Sequence, residues 1–416
     1  MINKAFLFYL LLFSLVLVFI SATCSRKQSQ PVYGDFPHVF IPDGIGVNIH
    51  FSGAPERDLK LMDQAHIKLI RADLTWTQVE RKKGMYNFSK YDALVDSFEK
   101  QGGRILFILD YKNRLYGKEK SIKTEEQING FARFAGKAAQ RYRGRCIIWE
   151  IWNEPNIKKF WGEEPDPKNY MALVKATCMA IREADPHAII IAPATVGCDG
   201  NFISKCAQWG LMDLVDGISV HPYREGGPET VLKSYAHLRK IADKYPSKNG
   251  KKPRIISSEW GWGLSYLDLD SIGKAGAETK QAAYLTRRFC IEAYAGIACA
   301  IYYKWREDNH GMIRRNYTLK PSYTAFKVLN EELSGYCKTV TRMEIGNKEK
   351  DFVLIFKGDS GSKLVAWTTE GNTTIAIPMQ GKKAKGVDFL GKPAALRTKN
   401  NILDLKLTGE PIFIEY

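Results

Sequence analysis

Several function classes are set aside by what this chain lacks. Its eight cysteines include no C-x-x-C pair, and its seven histidines are scattered without an H-x-x-H pair. That spacing gives no support to a zinc or iron–sulfur centre, so neither metal nor cofactor is expected. Eight cysteines in 416 residues are too few for a disulfide-stapled scaffold, and most lie in apolar runs where Cys acts as a small hydrophobe. Cys198 and Cys206, in the loop-like GCDGNFISKC, alone look placed to bridge. No glycine-rich G-x-G-x-x-G turn follows the first strand-like run, IGVNIHFSGAP, which argues against an open dinucleotide-binding sheet. There is also no block of like charge long enough to serve as a nucleic-acid arm, although 61 Lys+Arg against 45 Asp+Glu leave a net charge of +16. Such an excess favours anionic surroundings, and its plainest form is a basic solvated surface; no nucleic-acid partner is expected.

What is present is an ordinary globular balance of 45% apolar, 25% charged and 12% aromatic residues. The long apolar run is AFLFYLLLFSLVLVFI at 5–20, preceded by Lys4 and followed by Ser21, Ala22, Thr23 and Cys24. This pattern reads as a secretion signal. The small residues before Cys24 resemble the lipobox of bacterial lipoproteins, with Thr23 where Gly or Ala is usual. Residues 1–30 are therefore expected to be a signal and tether. The mature protein is expected outside the cytoplasm, secreted or held at the cell envelope by a lipid on Cys24.

From about residue 40 to 333, short β-branched runs alternate with longer segments whose apolar residues recur every three or four positions. The strand candidates are 45–50, 67–73, 104–110, 146–153, 188–193, 215–221, 254–259 and 299–305. Eight strand–helix alternations predict an α/β fold, a closed (β/α)8 TIM barrel over 31–333. Period-two runs such as DFVLIFKG, SKLVAWTTE and EPIFIEY then predict a β-sandwich over 334–416, to which 31–42 is expected to add a strand.

In such a barrel, chemistry sits at the carboxyl ends of the strands. Glu154 ends the fourth run in WEIWNEPN, and Glu259 ends the seventh in RIISSEWGW. Strands four and seven face each other across the rim, so this pair can flank one glycosidic bond, one carboxyl as acid and the other as nucleophile or base. A lone strand-end Glu is more often structural; two together point to function.

These residues carry a resemblance. GVNIHF, RADLTWTQVE with GMYNFSKYD, ILDYKNRLYG, WEIWNEPNIKKFW, SVHPYREGGPE, SEWGW and YYKW together resemble the retaining glycoside hydrolases of clan A, and most closely bacterial family 39-like members. The resemblance implies Glu154 as acid/base, Glu259 as nucleophile and Asn153 as partner of the sugar 2-hydroxyl. Strand alternation would put Asn153 and Glu154 on opposite faces, so the strand must break there, and Pro155 supplies a reason. Arg71 is the candidate cation beside Glu259, with a buried salt bridge to Glu150 as the structural alternative. His221 and Tyr223 are expected near the nucleophile or sugar, and Asn113 as a polar contact. Trp305 stands where the clan commonly places a stacking platform; Trp76, Tyr111, Trp161, Trp260 and Trp262 follow other strand ends, where core packing is the commoner role.

The chain departs from the pattern after strand eight, reading WREDNHGMIRRNYTLKP. Arg306, Arg314 and Arg315 there prompt the idea of an acidic or sulfated glycan, with a solvated basic loop as the alternative. A carbohydrate partner is expected. A catalytically silent glycan-binding lipoprotein, or an endo-acting β-mannanase or xylanase of another clan A family, remains as an alternative.

Overall fold

The eight β-branched runs form eight parallel strands of a closed barrel in a computed structural model that describes residues 32–379 and 384–416. The expected signal, Cys24 and the tether lie outside the described residues. In chain order the strands are β1 (Ile45–Asn48), β2 (Leu69–Thr75), β3 (Arg104–Asp110), β4 (Ile147–Ile151), β5 (Ile189–Val196), β6 (Gly217–His221), β7 (Arg254–Trp260) and β8 (Cys299–Tyr302). Each pairs with its neighbour in sequence, and β8 closes onto β1 with Tyr302 opposite Val47.

One principal helix follows each strand: α1 (Glu56–Gln64), α2 (Ser89–Lys100), α3 (Glu125–Arg141), α4 (Pro167–Ala184), α5 (Gly200–Gln208), α6 (Val231–Lys244), α7 (Leu269–Tyr294) and α8 (Pro321–Leu333). Local sequence explains the starts. Thr124 and Gln127 form a reciprocal capping box at α3, and Asp166 caps α4 with Pro167 in the first turn. The α3 face carrying Phe131, Phe134, Ala135 and Ala138 is buried against the barrel.

Period-two alternation makes the barrel interior change character along its axis. On β2 the sequence runs Leu69, Arg71, Asp73; on β3 it runs Leu106, Ile108, Asp110; on β4 it runs Ile148, Glu150. The lower members join Ile191, Ile256 and Ile301 in one buried apolar cluster. The upper members are ionisable, so the fold itself gathers charge beneath the mouth.

The C-terminal strands are β9 (Thr339–Arg342), β10 (Asp351–Gly358), β11 (Gly361–Thr368), β12 (Thr373–Pro378), β13 (Gly386–Asp388), β14 (Thr398–Lys399), β15 (Ile402–Leu407) and β16 (Ile412–Glu415). They form a five-stranded sheet, β9-β10-β11-β16-β13, and a three-stranded sheet, β12-β15-β14. Val353, Leu364, Ile375, Ile377, Leu403 and Leu405 fill the sandwich core. Trp367 belongs instead to the larger core shared with the barrel. It stacks on Phe352 and donates its indole N–H to Glu229 (2.7 Å), which also receives two bonds from Arg287 of α7.

Two expectations are corrected here. Residues 32–44 add no strand; they form turns, and Phe36 packs against the apolar cluster inside the barrel. Cys198 and Cys206 are not bridged. Asp199 caps α5 immediately after Cys198 and so turns Cys206 onto that helix's buried face.

Candidate active site

Strand β4 stops at Ile151, and the chain then breaks from the extended conformation. Trp152 and Glu154 take positive φ values of 68° and 51°, an unfavourable region for side chains of this size. The Glu154 amide is held by the carbonyl of Ala194 at 3.0 Å. The break brings Asn153 and Glu154 together into the mouth, as the Pro155 argument required.

Arg71 organises the floor. It is 1% exposed and lies third along β2, four residues before the strand's end. From there its guanidinium fans upward. Nε donates to Glu150 Oε2 (2.7 Å), and Nη1 donates to Asn48 Oδ1 (2.9 Å) and Glu259 Oε2 (2.6 Å). Nη2 donates to Asn153 Oδ1 (3.1 Å) and faces His221 Nε2 at 3.1 Å. The salt bridge to Glu150 and the contact with Glu259 therefore exist together. A fixed fork of donors suits this task, and a lysine could not reproduce it.

The same geometry assigns the histidine tautomer. A guanidinium is donor-only, so Nε2 of His221 must accept, which places the proton on Nδ1, 2.9 Å from Glu154 Oε1. His221 is fully buried and ties the arginine to one glutamate. Tyr223 serves the other, donating from its hydroxyl to Glu259 Oε1 at 2.8 Å.

Burial opposes the charge on Glu259, but the Arg71 guanidinium and the hydrogen bonds from Tyr223 and Arg71 outweigh it. The carboxyl is held below the usual glutamate range. Burial, and then the Glu259 charge, keep the Tyr223 hydroxyl protonated and so able to donate. Nearby, burial and the adjoining Asp73 push Asp110 well above the carboxylate range, while Asp73 itself stays low because its interactions with His50, 3.5 Å away, and with Asp110 overcome its burial.

One oxygen from each glutamate and a ring nitrogen of His221 lie within 4.8 Å of one another, the one grouping among the described residues that could surround a metal. Both histidine nitrogens are already engaged, and Arg71 already neutralises Glu259. The donor set fits a carboxylate pair better than a cation site.

Strand β8 ends at Tyr302, three residues earlier than expected, and this relocates the aromatic wall. Trp305 is 1% exposed; its indole N–H donates to Asp58 Oδ1 (2.7 Å) in α1, so it is a buried anchor and does not line the mouth. Tyr303, which the sequence pattern did not single out, is half-buried with its hydroxyl 3.2 Å from His50 Nε2 and its edge against Tyr223. Burial and then the nearby Glu259 charge push its hydroxyl to about 12. Asn113 also differs from expectation. It is buried, donates to the Glu80 carbonyl (2.8 Å) and accepts from the Leu115 amide (3.0 Å), so it braces its own loop. Trp76, Trp161, Trp260 and Trp262 are core residues, whereas Tyr111 is half-buried and lies close to Asn153. Arg314 makes two bonds to Glu278, Arg306 lies 3.6 Å from Asp58, and Arg315 lies 3.8 Å from Asp308.

Comparison with known proteins agrees with this geometry. The family model described as Cellulase (glycosyl hydrolase family 5) matches residues 43–300. A solved family 39 glycoside hydrolase from Bacteroides cellulosilyticus WH2 is 25% identical, covers 91% of this chain and 82% of its own, and superposes with a TM-score of 0.78. A monomeric β-xylosidase from Caulobacter crescentus CB15 shares the fold at 14% identity, with a TM-score of 0.65, over 92% of this chain and 97% of its own. A curated β-xylosidase from Geobacillus stearothermophilus is 32% identical over 95 residues, which is 22% of this chain and 18% of that relative. The matched barrel is more than half of the molecule, and the chain belongs to the cellulase (glycosyl hydrolase family 5) family of clan A O-glycosyl hydrolases, with family 39-like structural relatives.

Proposed function

We propose that this protein is a retaining glycoside hydrolase that cleaves β-glycosidic bonds of an oligo- or polysaccharide by double displacement. The observation that carries the proposal is the pairing of two glutamates with oxygens inside 4.8 Å, one of them held ionised by Arg71 and Tyr223. Retention needs carboxyl groups about 5–5.5 Å apart, whereas inversion needs about 6.5–9.5 Å to admit a water between them. The close approach favours retention.

Glu259 attacks the anomeric carbon while Glu154 gives its proton to the departing oxygen, forming a glycosyl ester on Glu259 and a free alcohol. Glu154, now a carboxylate, removes a proton from water, which displaces Glu259 and restores both groups. Asn153 has its Oδ1 committed to Arg71, so its amide NH2 is the donor for the sugar 2-hydroxyl. Tyr303 offers the half-buried ring face and replaces Trp305 as the stacking candidate.

Turnover of aryl β-glycosides and β-linked polysaccharides, aryl β-xylosides first because two of the relatives above are β-xylosidases, tests the reading with Glu259→Ala as the blank. Turnover equal in the blank, or product of inverted configuration, would overturn it. The N-terminal pattern further supports export and a lipid on Cys24. Metabolic labelling with a clickable fatty acid checks this, and label retained after Cys24→Ser would refute it.

A further inference from the structure

Beside the catalytic mouth lies a cluster of lysines that the hydrolysis itself does not use. Tyr111, which lies close to Asn153, stacks on Phe160 with centroids 6.3 Å apart and planes 13° from parallel. The Lys120 ammonium sits 5.4 Å from both ring centroids, and Lys159 Nζ lies 5.1 Å from Phe160. Lys120 donates to the Lys159 carbonyl (2.7 Å), and Lys112 to the Lys118 carbonyl. Burial, and then the like charges of Lys112 and Lys159, push the Lys120 ammonium below its usual range.

The contrast with neighbouring lysines is informative. Lys123 pairs with Glu163 and Lys158 with Glu164 on the same two loops. Lys112, Lys120 and Lys159 have no carboxylate within ion-pair distance among the described residues, and their contacts are carbonyls and ring faces. Three like charges, two of them over an aromatic pair and the third close to Lys120, leave an unmet need for a negative charge. An aromatic face and several ammonium groups are what an anionic sugar ring offers partners for: its C–H face meets the rings and its charged substituent meets the lysines. Arg306, Arg314 and Arg315 do not meet this description, since each has a carboxylate beside it.

We propose that Tyr111, Phe160, Lys112, Lys120 and Lys159 form a sugar-binding subsite, next to Asn153 and Glu154, for a negatively charged residue of the substrate chain. This rests on the hydrolase reading for its place in the cleft, but it concerns binding and is measured without turnover. A uronate carboxylate and a sulfate ester share the required chemistry, so both are probed.

The test is binding of uronate oligosaccharides from glucuronoxylan, pectate and alginate, each beside its carboxyl-reduced form, and of sulfated oligosaccharides beside their desulfated forms. Isothermal titration in the Glu259→Gln protein avoids cleavage. The expected result is at least about tenfold tighter binding of one charged form over its neutral counterpart at low salt, shrinking at high salt. In the Lys112→Gln/Lys120→Gln/Lys159→Gln variant that ratio should fall towards one, while the triple Lys→Arg variant, which keeps the charge, should retain it. A ratio near one in the parent protein for every pair overturns the proposal. So does a preference that survives in the Lys→Gln variant, because the charge is then recognised elsewhere. Binding preference without glycosidase activity would refute the hydrolase reading and leave this one standing.

Discussion

The two glutamates at the mouth are one residue type in two constructions. Glu259 lies inside β7, one residue before its end and where the pairing with β8 shifts register, and receives two strong donors, Arg71 Nη1 and the Tyr223 hydroxyl, one on each oxygen. Glu154 stands on a broken strand with φ of 51° and has one side-chain partner, His221. Donors to both oxygens favour a permanent carboxylate. Glu154 has its contact on one oxygen only, from the His221 Nδ1–H. In the proposed mechanism, surroundings and not residue identity divide the labour between them.

The largest effect should come from the group that forms the bond. Glu259→Ala is expected to lower kcat on all substrates by roughly 10⁴-fold or more, since no other nucleophile replaces it. Glu154→Ala should lower kcat/KM by about 10²–10⁴-fold on alkyl glycosides, the usual share of acid–base assistance. Aryl glycosides with good leaving groups should suffer far less in the first step. Equal losses on both substrate classes would collapse the proposed asymmetry. Arg71→Met should be costly to the fold. Glu150 is fully buried, and a stranded charge there costs about 3–5 kcal/mol, readable as a lowered urea midpoint.

Much of this architecture is legible in the chain, for physical reasons that also explain where legibility stops. The β3 boundary at 104–110 is read correctly because RILFILD is buried on both faces and bounded by Gly103 and the loop after Asp110. The β8 boundary is misread because YYKW stays aromatic past the last strand residue, and hydropathy cannot tell an indole anchored on Asp58 from one facing a sugar. The placement of Arg71 near both Glu150 and Glu259 is legible, since inward spacing selects it. Its fivefold fan is not, because Asn48, Asn153 and His221 come from three other strand ends. Asn113 misleads for the complementary reason: a strand-end amide can serve its own loop as readily as a ligand. The Asp73–Asp110 pair goes unnoticed in sequence because its partners lie 37 residues apart and meet only through β2–β3 register.

Tyr223→Phe sharpens the comparison of the glutamates most gently. It deletes one hydroxyl and leaves the ring, so the lost term is the bond to Glu259 Oε1. That bond favours the ionised carboxyl, and removing it must raise the carboxyl's pKa from its present position below the usual range. The proposed mechanism requires Glu259 as the carboxylate, so kcat/KM is expected to fall as pH drops through that pKa, and the acidic limb should move to higher pH in the variant. A hydrogen bond to a charged group contributes about 1.5–3 kcal/mol, so the shift should be of the order of one pH unit, with about a tenfold loss on the limb and less near neutrality. Trp305→Phe is the control from the other side of the mouth. It breaks the indole bond to Asp58 and should lower the melting temperature while leaving the acidic limb where it was. A limb that shifts in Trp305→Phe and stays fixed in Tyr223→Phe would mean that Glu259 is tuned from strand eight and not from Tyr223.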